Sequence, residues 1–103
     1  MSNGDKYFKL TISDRVDESL RDVSDRAEAI GQLAEVRDAI RRFRNWLRAD
    51  PETMGEPFRV HKSKNITEYI AFVGPLVILY NIHHASMTVY VLRPVRVARW
   101  AGF

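Results

Sequence analysis

Two short basic segments in the C-terminal half contain the side chains best suited to chemistry. The first contains His61, Lys62 and Lys64, and the two lysines would share one side of the chain if this segment were extended. The second contains three arginines, Arg93, Arg96 and Arg99. Lysine and arginine bind phosphate and carboxylate groups, and histidine transfers protons near neutral pH. Both segments therefore favour an acidic partner such as RNA, DNA or an anionic protein segment, and a solvated basic surface is the alternative.

A third group of cations lies upstream, on a predicted helix. Its members are spaced by four, three and four residues and so share one face: Arg37, Arg41, Arg44 and Arg48. This face suits an acidic partner helix or nucleic acid, and a solvated face paired with neighbouring acids is the alternative. Beyond the last predicted strand, Trp100 and Phe103 must either fold back or be covered by something else. We therefore predict a partner-binding surface formed by these six residues.

The adjacent histidines His83 and His84 raise the question of a metal site. Neighbouring residues of a strand point to opposite faces, and no third ligand follows at a recognisable spacing. The chain contains no cysteine, which excludes a disulfide framework and a thiolate metal site. A phosphate-binding glycine motif and a nucleophile elbow are also absent from the sequence. We therefore predict turn histidines, no metal and no cofactor.

The composition is that of a folded protein with one core. Of 103 residues, 46% are hydrophobic and 28% are charged, and the net charge is +3. These values predict a single domain over residues 1–103 and exclude a disordered tail. The N-terminal residues lack the layout of a signal peptide, and no apolar run approaches the roughly 20 residues of a membrane span. We expect a cytoplasmic protein that does not bind membranes.

The basic segments must be positioned by strands that follow one another closely. Three apolar runs, residues 66–73, 76–82 and 87–97, are rich in β-branched and aromatic residues. Gly74-Pro75 separates the first two runs, and a polar break of hairpin length separates the last two. The runs therefore predict an antiparallel meander. Residues 58–61 predict a short edge strand before it, and residues 51–57 predict a loop.

The N-terminal half predicts a strand and two helices. Phe8, Leu10 and Ile12 alternate with polar residues, as in a half-buried strand. Two apolar series with helical spacing follow, and they meet at Gly31, where the phase slips. The first series is Val16, Leu20, Val23, Ala27 and Ile30, and the second is Leu33, Val36, Ile40, Phe43 and Leu47. We expect an antiparallel pair of helices, acidic helix against basic helix, and one bent helix is the alternative.

These elements together predict an α+β fold in two layers. The N-terminal strand should join the C-terminal meander of three to four strands as one sheet, because the apolar faces of the helices need a cover. The two-helix hairpin would then pack on one face of that sheet. Positioned in this way, the basic segments lie at the ends of the C-terminal strands.

This order of elements resembles the RelE/ParE toxin superfamily of bacterial toxin–antitoxin modules. Residues 65–82 are similar to the family's strand, glycine-containing turn and aliphatic strand ending in tyrosine. Residues 89–93 are similar to its final strand, which ends in a Leu-Arg pair before a basic segment, and residues 47–51 to the end of its second helix. The resemblance implies a RelE/ParE-like fold and a cognate antitoxin that folds onto the helices and sheet.

Departures from the family pattern indicate which branch of the superfamily this chain resembles more. RelE-type members, which cut messenger RNA on the ribosome, carry an arginine where this chain has Val77. An aliphatic residue there is typical of the ParE-like members, which inhibit DNA gyrase without a nuclease site. In the basic C-terminal segment, Pro94 directly follows Arg93, and Val97 stands at the usual glycine.

The resemblance therefore implies a plasmid-stabilisation-type toxin that arrests growth by binding DNA gyrase. Arg93, Arg96 and Arg99 would then contact the target, and no residue would be catalytic. The first alternative is a ribosome-dependent messenger RNA endoribonuclease, in which cations would stabilise the developing phosphorane charge and acid or base groups would transfer protons. The residues expected to serve it are Lys62, Lys64, Arg93 and Arg96. A non-toxic binding module of the same fold is the second alternative.

Overall fold

The computed structural model describes residues 7–98. In chain order its elements are β1 (Lys9–Ile12), α1 (Asp14–Ala29), α2 (Leu33–Ala49), α3 (Pro51–Met54), β2 (Glu56–His61), β3 (Ile66–Val73), β4 (Leu76–His83), β5 (Thr88–Val91) and β6 (Arg96–Val97). A single 3₁₀ turn, Lys62–Lys64, follows β2. The predicted α+β order of strand, two helices and C-terminal strands is confirmed. Between residues 7 and 98, no helix has the length and apolar character needed to cross a membrane.

The strands form one mixed sheet in the order β1-β5-β4-β3-β2. Strands β2 to β5 pair as an antiparallel meander, and β2 lies at its edge as predicted. The N-terminal strand joins the same sheet, which was also predicted. It pairs parallel to β5, with Lys9 opposite Thr88 and Ile12 opposite Val91. The last strand of the meander is therefore held between β1 and β4.

The two helices are separate, and the alternative of one bent helix is wrong. Ser13 caps α1, because its hydroxyl accepts a hydrogen bond from the Val16 amide at 3.3 Å. Beyond α1, Gly31 has a φ of +76°, a left-handed conformation that favours glycine and ends the helix. The chain then re-enters a helix at Leu33. This short connection allows the two helices to pack side by side.

The core lies between the helix pair and one face of the sheet. Most predicted helix positions are buried, but Ile30 lies just beyond the end of α1 and is exposed. On α2, Ile40 is only partly buried and Ala39 lies in the core. The core residues include Val16, Leu20, Val23 and Ala27 of α1, Val36, Ala39, Phe43 and Leu47 of α2, and the sheet residues Tyr69, Ala71, Val73, Leu76, Ile78, Tyr80, Ile82, Val89 and Val91.

The third predicted strand, residues 87–97, is not continuous. Strand β5 ends at Val91, and β6 pairs separately with the other end of β4, where Arg96 lies opposite Val77. Pro94 lies between them and cannot donate to the ladder, so the chain leaves the sheet at this point. Val95 is buried, and its amide donates to the Ser19 hydroxyl of α1 at 3.1 Å. The interruption therefore joins the sheet to α1.

The predicted loop over residues 51–57 is also corrected. Pro51 ends α2, as expected, but it also begins the single helical turn α3, where a missing amide costs nothing. The turn is tied to the core, because the Tyr80 hydroxyl donates to the Pro51 carbonyl oxygen at 2.6 Å. Strand β2 begins at Glu56, earlier than predicted.

Candidate functional site

The face of the sheet that the helices leave uncovered, here called the open face, carries a row of polar side chains. Cross-strand pairing places Arg59 of β2 opposite Glu68 of β3, and Glu68 opposite Asn81 of β4. The same row continues through Tyr90 of β5 to Thr11 of β1. Directly opposed residues have Cβ atoms only about 5 Å apart, so these five side chains form one continuous polar band.

Glu68 is the acidic residue of this band. Its carboxylate lies 2.6 Å from Nε2 of His61 and 3.8 Å from Nη1 of Arg59, and its side chain is only 16% exposed. The hydrogen bond with His61 holds the pKa of Glu68 below its ordinary value against partial desolvation, and the charges of Arg59, His61 and Arg93 add to this effect. Glu68 is therefore ionised at neutral pH. An ionised carboxylate only accepts hydrogen bonds, so Nε2 of His61 is the donor.

A bulge in β2 brings an aromatic ring onto the same face. Pro57 pairs with Tyr69, but Arg59 pairs with Glu68, so Phe58 is an extra residue in the ladder. Its side chain lines a cleft of about 250 Å³ above β3 and β4. The other side chains that line the cleft from the open face are Glu68, Leu79, Asn81, Tyr90, Leu92 and Arg93. The cleft thus combines apolar and aromatic walls with a carboxylate, an amide and a guanidinium.

The two adjacent histidines lie on different sides of the sheet, as the alternation predicts. The ring of His83 packs against Tyr90 on the open face, with ring centroids 4.4 Å apart. Nε2 of His84 lies 2.9 Å from the hydroxyl of Thr67, a buried residue on the helix-covered face. Among residues 7–98, no three side chains of the metal-binding types are grouped as ligands.

The structure separates the residues proposed for target contact or nuclease chemistry. Arg93 lines the cleft, whereas Arg96 lies opposite Val77. Along β4, Val77 is four residues from Asn81, or about 13 Å. The predicted common side of Lys62 and Lys64 is wrong, because a 3₁₀ turn has three residues per turn and the segment is not extended. Arg99 lies outside the described residues.

The predicted partner-binding arginines lie on α2, on the helix side of the sheet. Arg41 and Arg42 both bond to Asp38 within α2, and Arg44 lies 3.6 Å from Asp17 of α1. The last contact is the predicted pairing of basic helix with acidic helix. Arg37 and Arg48 are exposed on the same helix. Such exposed pairs contribute under about 1 kcal/mol each, so this surface remains available for a partner. Trp100 and Phe103 lie outside the described residues.

Sequence reasoning missed several residues of the cleft: Phe58, Glu68, Leu79, Asn81 and Leu92. The available signal was the alternation within β3 and β4, which places Glu68 and Asn81 on the face opposite the core. Glu68 is also the only acid after residue 58. A single carboxylate in a basic region, at a strand position that faces away from the core, indicates that a nearby cation binds that carboxylate.

Comparisons with known proteins identify the fold. No family model and no curated protein matches this chain. A search of solved structures finds a chain of the archaeal RelE–RelB complex from Pyrococcus horikoshii OT3 with a TM-score of 0.64 and 15% sequence identity. The match covers 91% of this chain and 99% of that chain. This protein therefore has a RelE-like fold, as its sequence resemblance implied.

Proposed function

We propose that this protein is the toxin partner of a two-protein toxin–antitoxin pair and acts in the cytoplasm. The observation that carries the proposal is the fold, which matches a chain of a RelE–RelB complex over 91% of the present chain. The sequence resemblance to the RelE/ParE superfamily covers the same elements. An antitoxin partner would use the exposed basic face of α2, formed by Arg37, Arg41, Arg44 and Arg48, with Trp100 and Phe103 as further contacts.

For the mode of action we propose binding to DNA gyrase without catalysis. The support is strand β4, where Val77 and Leu79 alternate with the buried residues Ile78 and Tyr80 and so place aliphatic side chains on the open face. RelE-type nucleases carry an arginine at the position of Val77. In this proposal the target contacts are Arg93, which lines the cleft, Arg96, which is exposed on β6, and Arg99.

A supercoiling assay with purified gyrase tests this mode of action. The wild-type protein should inhibit ATP-dependent supercoiling of relaxed plasmid, and the combined substitution Arg93→Ala and Arg96→Ala should weaken inhibition by about tenfold or more, because two target cations are lost. Arg21→Ala, an exposed arginine of α1, is the matched control and should inhibit like the wild type. Undiminished inhibition by the double variant would remove both residues from the target contact.

A second candidate function, ribonuclease activity, is favoured by the contacts around Glu68. With Nε2 of His61 bonded to Glu68, Nδ1 is the nitrogen that accepts a proton. His61 would remove the proton of a ribose 2′-hydroxyl, and the 2′ oxygen would attack phosphorus to form a 2′,3′-cyclic phosphate. The bond from phosphorus to the 5′ oxygen would break, and this oxygen would take a proton from a water molecule. Arg59 and Arg93 would stabilise the charge on the phosphorane. Of the four residues expected from sequence, Lys62, Lys64, Arg93 and Arg96, only Arg93 lines the cleft on the open face. His61 and Arg59 border that cleft through their contacts with Glu68.

Induction of the protein in a bacterial host separates the two modes of action. Intact messages with altered plasmid supercoiling support gyrase binding. Rapid loss of messages at ribosome-bound codons supports the ribonuclease, and His61→Ala should then abolish the loss. Normal growth of cells that contain the folded protein would favour the remaining alternative, a non-toxic binding module.

A further inference from the structure

We propose that the cleft on the open face binds a guanine base. The shape of the cleft suits a flat ring system. Strands β3 and β4 form the floor, and the walls come from Phe58 on the β2 side and from Tyr90 and Leu92 on the β5 side. Strands β2 and β5 are three spacings apart, or about 14 Å, which leaves room for one flat ring system between the opposing side chains. Aromatic rings and aliphatic side chains are the surfaces on which nucleobases stack.

The donors and acceptors of the cleft also match guanine. The carboxylate of Glu68 only accepts, and the guanidinium of Arg93 only donates. Guanine presents two adjacent donors, N1–H and N2–H, which match a carboxylate, and two acceptors, O6 and N7, which match an arginine. Adenine and cytosine have no ring N–H at the corresponding position. Uracil has a ring N–H, but an acceptor flanks it on each side, so it lacks the paired donors.

The contacts of Glu68 with His61 and Arg59 explain how its carboxylate stays ionised and can accept hydrogen bonds from a base. Nε2 of His61 and Nη1 of Arg59 lie 2.6 and 3.8 Å from Oε2 of Glu68. These contacts keep the side chain of Glu68 ionised and fixed on the open face. Asn81, directly opposite Glu68 in the ladder, supplies an amide that can both donate and accept. With Arg59 and Arg93 against Glu68, the site has a net charge of +1, which favours a nucleotide over an uncharged ligand.

Titration of the full protein with GMP, AMP, CMP and UMP, followed by amide chemical shifts, tests the proposal. GMP should bind at least about tenfold more tightly than the other three nucleotides, because both hydrogen-bonding edges are satisfied only by guanine. The largest shifts should occur at residues 68, 81 and 90. Glu68→Gln should remove the preference for GMP over the other three nucleotides. Arg93→Ala should weaken GMP binding, whereas Arg21→Ala on the helix side should not.

Two results would overturn the proposal. Equal affinity for all four nucleotides, matched by ribose 5-phosphate, would mean that only phosphate is recognised. An absence of shifts on the open face at millimolar GMP would mean that the cleft does not bind a base. The inference concerns binding alone and does not rest on the toxin proposal, because growth arrest and nucleotide binding are measured separately. A protein that arrests growth but ignores GMP would refute only this inference.

Discussion

Removal of one hydroxyl group, in Tyr80→Phe, tests how the helical turn α3 is attached to the sheet. Tyr80 is buried, and its ring stacks on Tyr69 with centroids 5.2 Å apart and planes 6° apart. Its hydroxyl donates to the Pro51 carbonyl oxygen at 2.6 Å. Burial raises the pKa of this hydroxyl, which therefore stays protonated and remains a donor.

The expected loss of stability follows from the group left without a partner. Phenylalanine keeps the ring and its stacking but leaves the buried Pro51 carbonyl without this hydrogen bond. An unsatisfied buried group costs about 1–3 kcal/mol, so we expect Tyr80→Phe to lower the free energy of unfolding by about 1–3 kcal/mol. For a domain of this size, each kcal/mol lost lowers the midpoint temperature by roughly 4–8 °C.

Urea unfolding followed by circular dichroism measures this change directly. Tyr7→Phe is the matched control, because Tyr7 is 67% exposed and loses a hydroxyl that water already solvates. The control should unfold within about 0.5 kcal/mol of the wild type. If Tyr80→Phe also unfolded within that margin, the hydroxyl would not secure α3, and the described path of residues 51–55 would be wrong.

Three further predictions address the core, a turn and the candidate site. Phe43→Asp should abolish folding in a circular dichroism spectrum, because it buries an unpaired charge at a fully buried position, whereas Ile40→Asp at the partly buried site should fold with reduced stability. Gly74→Ala should cost more stability in urea than Gly31→Ala: both glycines have positive φ, but only at Gly74 would the new Cβ meet a neighbour, at 3.2 Å. Glu68→Gln should reduce the acid sensitivity of the midpoint temperature. Because the pKa of Glu68 is lowered in the folded protein, its ionised carboxylate stabilises the fold at pH values above the ordinary pKa of 4.5. This contribution is lost as the pH falls through the folded-state pKa. Equal acid sensitivity of the two proteins would contradict the last prediction.

The sequence predicts the layers of this fold because periodicity reports burial. Residues of β3 and β4 alternate between core and open face over their full length, and the helical spacing of Leu20 and Phe43 places both in the core. The parallel pairing of β1 with β5 was not predictable in the same way. A strand's own pattern indicates which face is buried, but it does not indicate the direction of its neighbour.

The interruption at Pro94 shows where periodicity misleads. Val95 and Val97 continue the apolar alternation of β5 in the sequence, and both are buried. They are buried in different places, since the amide of Val95 bonds to Ser19 of α1 and Val97 pairs with Leu76 of β4. Proline after Arg93 was the local sign of a break, but the new position of the chain depends on a contact with a residue 76 positions away.

The candidate site depends on register, which the sequence did not reveal. His61 and Glu68 are seven residues apart and meet across an antiparallel pair whose connection is a 3₁₀ turn ended by Asn65 at a φ of 54°. The bulge in β2 places Phe58, the residue before Arg59, in the cleft that Glu68 also lines. One residue more or less in the turn would move His61 to the other face. The sequence therefore shows which polar residues are present, but it does not predict that His61 and Glu68 are in contact.

Growth after induction of the wild-type protein in a bacterial host, compared with Phe43→Asp, tests the toxin proposal most directly. The wild type should reduce the number of colony-forming cells, and the unfolded variant should not, because target binding needs the assembled sheet. Co-expression of the product of an adjacent gene should restore growth if that product is the antitoxin. Unimpaired growth with a folded wild-type protein present in the cells would contradict the account.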